Sequence, residues 1–190
     1  MIDLKQTENK NRIVAGLLFF IYFILNIYNY YPLLTLISND TLLLIPHIFA
    51  PLILSIVMFK KDNKKLLIIS FILLSIGRTL AYINFDEIQN MFNTINNVLS
   101  YSRDIIYVLS PLLFILTIYL NNKNDETSKL ISKLIIIIEI LDLMISNIYF
   151  ESSTFYTVQT IILIIAFIFT NLYINNKTQN TIEIKNNDEY

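Results

Sequence analysis

An arginine, a histidine and two carboxylates lie inside apolar, helix-length runs of this chain. Arg78 interrupts SFILLSIGRTLAYINF, Glu139 and Asp142 interrupt LIIIIEILDLMIS, and His47 sits in IPHIFAP between Pro46 and Pro51. Ionised groups at membrane depth are costly, so each needs a partner or a water-filled cavity. A guanidinium cannot shed its proton, and it matches carboxylates and phosphates. Arg78 therefore requires an acid. Asp142 is expected to take that place, with Glu139 as the spare acid. Two neighbouring carboxylates tend to share a proton, which suits them to divide general-acid and general-base roles. His47 is a further group able to move protons. The expected catalytic residues are Asp142, Glu139 and His47; the expected ligand-binding residues are Arg78, Tyr107 and Asn26. Neither a metal nor a cofactor is expected.

Each residue also has a plainer reading. Arg78 and its acid can be a structural lock that fixes helix register. They can instead clamp a polar or anionic ligand such as a lipid headgroup, or Arg78 can snorkel to an interface. His47 can hydrogen-bond to backbone at a helix kink, transfer protons, or ligate a metal with Glu139 and Asp142. Asn26 and Asn29 can serve as interhelical glue.

The surrounding composition limits what positions these groups. The chain has 190 residues, is 55% hydrophobic, and carries a formal net charge of −1; its mean hydropathy is +0.57. No basic surface points to nucleic acid. Cysteine is absent, which excludes thiol catalysis and disulfides. A single histidine rules out a His-rich zinc site, and two isolated glycines, Gly16 and Gly77, form no phosphate loop.

Six runs have the length and apolarity of membrane helices: Ile13–Tyr31, Thr41–Phe59, Leu66–Ile83, Ile105–Leu120, Leu130–Tyr149 and Thr157–Ile174. The first is too long for a signal peptide and is followed by no small-x-small cleavage site. Lysines and Arg12 alternate with the path: the N-terminal tail, KKDNKK, the Lys123–Lys133 region and the C-terminal tail carry them, while the other side has only Arg103. Basic loops stay cytoplasmic, so both termini are expected inside a multi-pass plasma-membrane protein. The fold expected is an all-α, six-helix transmembrane bundle, residues 13–175, between a cytoplasmic tail 1–12 and a disordered tail 176–190. Its expected partners are membrane lipids and a lipid-like small ligand. Phe85–Arg103, with apolar residues at helical spacing, reads as an amphipathic helix on the outer face, capped by Asp86.

At 1.5 Å per residue, Arg78 and Asp142 lie about 18 Å above the cytoplasmic side, Glu139 about 14 Å, and His47 and Asn26 about 20 Å. Groups from separate helices thus share one slab. They also fall on stripes: Glu139, Asp142, Ser146 and Tyr149; Tyr22, Asn26 and Asn29; Arg103, Tyr107, Ser110 and Thr117. Polar stripes on spanning helices face inward. A pocket in the middle-to-outer membrane follows.

Residues 50–165 resemble the YhhN-type lysoplasmalogenase-like membrane family. Pro51 and Gly77 stand at that family's early Pro and Gly, Tyr107 in RDIIY at its Tyr, and Asp142 in ILDLMISNIYF at its Asp. Tyr156 and Gln159 in FYTVQ stand at its final Tyr…Gln. Ala50, Arg78 and Asp104 replace its Lys, first Asp and His, and six spans replace its usual eight. The resemblance implies hydrolysis of a lysoplasmalogen vinyl ether by paired acids, with Glu139 joining Asp142 where Arg78 has displaced an aspartate. A non-enzymatic transporter component or partner-binding subunit, held by the arginine–acid lock, is the alternative.

Overall fold

The computed structural model describes residues 2–34, 39–60, 64–89, 109–120, 126–149 and 154–188. Among them are six helices and no strand: α1 (Ile2–Leu34), α2 (Asn39–Phe59), α3 (Lys64–Gln89), α4 (Leu109–Leu120), α5 (Glu126–Tyr149) and α6 (Thr154–Asp188). Gln6–Tyr30 of α1 and Thr154–Asn176 of α6 are long and apolar enough to cross a membrane, which points weakly to membrane association.

Several helices outrun the apolar runs that seed them. α1 begins at Ile2, and α6 continues to Asp188. The segment expected to be a disordered tail after residue 175 is therefore helical up to Asp188. Neither Pro nor Gly interrupts residues 175–188, so the helix started by the apolar stretch has no breaker. α3 likewise runs through Asp86 to Gln89. Asp86 thus lies inside a helix and does not cap a new one. The remainder of the expected Phe85–Arg103 helix lies outside the described residues.

α1 and α2 run antiparallel, Arg12 meeting the Met58–Phe59 end of α2 and Asn26 meeting His47 further along. α1 lies against α2 and α6, α2 against α3, and α5 against α6. At one end, Arg12 of α1 donates from Nη1 to the carbonyls of Met58 and Phe59, 2.8 Å each. These are among the last carbonyls of α2, which lack intrahelical donors, and a cation there also suits the helix dipole. Gly16, one turn on, lets α1 pass the Met58–Phe59 end of α2; a Cβ there would lie 3.2 Å from Met58 Cβ.

The centre is aromatic. Phe71 of α3 stacks on Phe114 of α4 (centroids 4.8 Å, planes 3° apart), and Phe114 meets Phe167 of α6 at 4.7 Å. Phe19 of α1 closes edge-on against Phe167 at 6.1 Å. All four rings are fully buried. Outward, the bundle presents large apolar side chains on every helix, among them Ile24, Ile53, Ile69, Leu116, Ile137 and Ile161. Several polar side chains are internal, among them Ser55, Ser70, Ser75, Ser110, Thr117 and Thr170. Ser70, Thr79, Thr117 and Thr170 turn their hydroxyls onto the carbonyl four residues back, which satisfies them without water.

Candidate functional site

Above the phenylalanine layer the core turns polar. Arg78 of α3, fully buried, reaches toward α4 and α5. Its Nη1 donates to Glu139 Oε1 at 2.8 Å and to Ser110 Oγ at 2.9 Å. Ser110 also donates to Glu139 Oε1. The guanidinium carbon stands 5.8 Å from the centroid of Phe167, within cation–π range. One arginine therefore joins α3, α4, α5 and α6.

This corrects the expected pairing. The carboxylate that meets Arg78 in the close ion pair is that of Glu139, and Asp142 lies one turn further along the same face. Both acids are 2% exposed. Ser110 explains the choice, since it holds Oε1 of Glu139 in place from the opposite helix. Nη1 is thus shared between Glu139 and Ser110.

A small cavity of about 30 Å³ adjoins the ion pair, room for roughly one water molecule. Arg78, Glu139, Asp142 and His47 line it together. α1 contributes Tyr22, Asn29 and Tyr30, and α6 contributes Tyr156, Gln159, Thr160 and Leu163. Tyr30 meets the His47 ring edge-on at 5.4 Å. His47 enters this cavity because α2 and α3 touch backbone to backbone. A Cβ on Gly77 would lie 2.5 Å from His47 N and 2.7 Å from the Pro46 carbonyl carbon.

Asn26, fully buried, stands behind this wall. Its Nδ2 donates to the His47 carbonyl at 3.4 Å, and its Oδ1 accepts from Gln159 Nε2. Asn26 thus touches a cavity-lining residue on each side instead of lining the cavity itself. Tyr107 lies outside the described residues. Among those described, no three His, Cys, Asp or Glu side chains are grouped so as to hold a metal ion.

Five of the six residues singled out from sequence, Arg78, Glu139, Asp142, His47 and Asn26, thus meet at one place. Tyr30 and Thr160 were missed. Tyr30 follows Asn26 by four residues and continues its stripe, and Thr160 neighbours Gln159; both signals were available in the spacing. Leu163, one turn below Gln159, carries no polar signal. No family model, curated protein or solved structure matches the chain.

Proposed function

We propose that this chain is a six-span membrane protein with both termini cytoplasmic, whose internal cavity hydrolyses the vinyl-ether bond of a lysoplasmalogen-like lipid. Two features support the membrane reading: large apolar side chains face outward on all six helices, and Arg78, Glu139 and Asp142, within the apolar runs, face inward. A bundle with this inside-out polarity suits hydrocarbon surroundings. The alternation of lysines orients it. On a variant with cysteine at position 63, between Lys61 and Lys64, an impermeant thiol reagent should label only opened cells. Labelling of intact cells would contradict the orientation.

The observation that carries the chemistry is that two acids, Glu139 and Asp142, line one cavity. A lock needs one carboxylate for Arg78; the cavity holds Glu139, Asp142 and His47 around a space the size of a water. Vinyl-ether hydrolysis uses such a set. An acid, assigned here to Asp142, protonates the β-carbon of the enol ether, leaving an oxocarbenium ion. Glu139, ionised beside Arg78, offsets that positive charge. Water, with His47 as base, adds to the cationic carbon. The His47 imidazolium then gives its proton to the glycerol oxygen as the hemiacetal C–O bond breaks, and the hemiacetal hydroxyl proton passes to Asp142, releasing an aldehyde and the glycerophospholipid alcohol with both groups restored. Residues 50–165, with Asp142, Tyr156 and Gln159 at matching places, resemble a family with this activity. The cavity has room for the hydrolytic water.

A second reading, a structural subunit held by an arginine–carboxylate lock, is favoured by one observation: Arg78, Glu139 and Ser110 already tie three helices together. Turnover separates the two. Purified protein in mixed micelles should release long-chain aldehyde from a 1-alkenyl lysophospholipid and none from its 1-alkyl analogue. Aldehyde release no faster than in protein-free micelles would leave only the lock.

A further inference from the structure

In a regular helix the carbonyl of residue 47 accepts from the amide of residue 51. Here residue 51 is Pro51, inside α2, and it has no N–H. The His47 carbonyl is thereby left without its usual donor, in a wall that is buried. Asn26 Nδ2, reaching across from α1, donates to this same oxygen. A carbonyl can only accept, so the orientation of the Asn26 carboxamide is set. Its Oδ1 must face away, and there it accepts from Gln159 Nε2.

We infer that Asn26 is a positioning residue that supplies the hydrogen-bond donor Pro51 lacks, and that the resulting relay from α2 through α1 to α6 holds His47 and Gln159 in place at the cavity wall. The relay spans a bend that the sequence itself imposes. A proline inside a helix removes a backbone bond and opens the helix at the carbonyl four residues back. That carbonyl belongs to the histidine of the site. Without Asn26 the bend would have no fixed depth or direction. With it, the His47 carbonyl is tied to α1 and, through Gln159 Nε2, to α6, and Gln159 lines the cavity with that end of its amide committed. The structural part of this inference stands by itself; its consequence for turnover rests on the function proposed above.

The chain's single histidine gives a direct test. Carbonyl ¹³C-histidine labels only the His47 carbonyl. With ¹⁵N in asparagine side-chain amides and the protein in bilayers, solid-state NMR should detect a dipolar coupling between the two labels. Asn26→Leu should abolish it, and Asn29→Leu should leave it. Absence of the coupling in the unaltered protein overturns the inference, even if no proline variant folds. Thermal unfolding adds a second measure. Asn26→Leu should lower the Tm by roughly 4–8 °C. In a Pro51→Ala background, where a backbone N–H is restored to the His47 carbonyl, the same substitution should cost less than half as much. Equal losses in both backgrounds would mean that Asn26 does not replace the proline's missing donor. In the double variant, recovered stability should still come with vinyl-ether turnover lowered roughly tenfold or more, because Gln159 has lost its anchor. Full recovery of turnover would refute the Gln159 part of the relay. Failure of the unaltered protein to turn over at all would count against the proposed function and leave the NMR result unaffected.

Discussion

Replacing Arg78 with leucine is expected to destabilise the purified protein by about 3–5 kcal/mol, the scale for stranding one member of a buried pair. The effect should be the largest of any single substitution at the site. Two carboxylates, Glu139 and Asp142, would then face one cavity without a compensating cation, and the tie from α3 to α4 and α5 would be gone. Glu139→Leu should cost less, because Asp142 remains beside Arg78 and can shift toward it. Removing both partners together should recover much of the loss, since a well-filled apolar replacement of an ion pair is often close to neutral. Unfolding of the two single variants and the double variant in detergent checks this. Strictly additive losses would show that the two residues do not interact.

Gly77→Ala is expected to be the second large effect. The added Cβ would come within 2.5 Å of His47 N, 2.6 Å of His47 Cα and 2.7 Å of the Pro46 carbonyl carbon. Ordinary carbon contacts lie near 3.5–4.0 Å. Those atoms are backbone, so no rotamer change relieves the clash, and α2 and α3 must separate by about 1 Å. Overpacking of a tight contact costs about 1–3 kcal/mol, and this case belongs at the upper end. It outweighs the gain of up to about 1 kcal/mol from replacing glycine by alanine in a helix. Gly16→Ala is the matched control. Its Cβ would meet Met58 Cβ and Phe59 Cζ at 3.2 Å; the phenylalanine tip can swing aside and the Met58 backbone need yield only a few tenths of an ångström, so the loss should be clearly smaller than for Gly77→Ala. Equal Tm shifts for the two variants would contradict the close α2–α3 approach.

The convergence of Arg78, Glu139, Asp142, His47 and Asn26 was legible because helical rise is fixed and the runs alternate in direction. Counting residues from each end places all five at similar depth. Which acid meets Arg78 was not legible. Glu139 and Asp142 differ by about 4.5 Å of rise, while helix ends read from sequence are uncertain by about 2–4 residues. That uncertainty is as large as the difference to be resolved. Ser110, which decides the matter, contributes only a hydroxyl, and serines recur in several of these helices. The phenylalanine layer was equally hidden. Phe71, Phe114 and Phe167 sit in segments apolar on nearly every side, so periodicity carries no information about which face is inward. The helical extension to Asp188 was missed for another reason: polarity shows that a segment is not core, but it does not stop a helix that meets no breaker.

The claim that the cavity is a site and not merely a lock turns on Asp142, the acid beyond the one in the close ion pair with Arg78. The most direct measurement takes Asp142→Asn through unfolding and through aldehyde release from a 1-alkenyl lysophospholipid, on the same preparation. The prediction is a Tm within a few degrees of the unaltered protein, since Arg78 keeps Glu139, together with turnover reduced at least about a hundredfold by loss of the proton donor. Unchanged turnover with intact folding would contradict the assignment of Asp142, and with it the account of this cavity as a hydrolytic site.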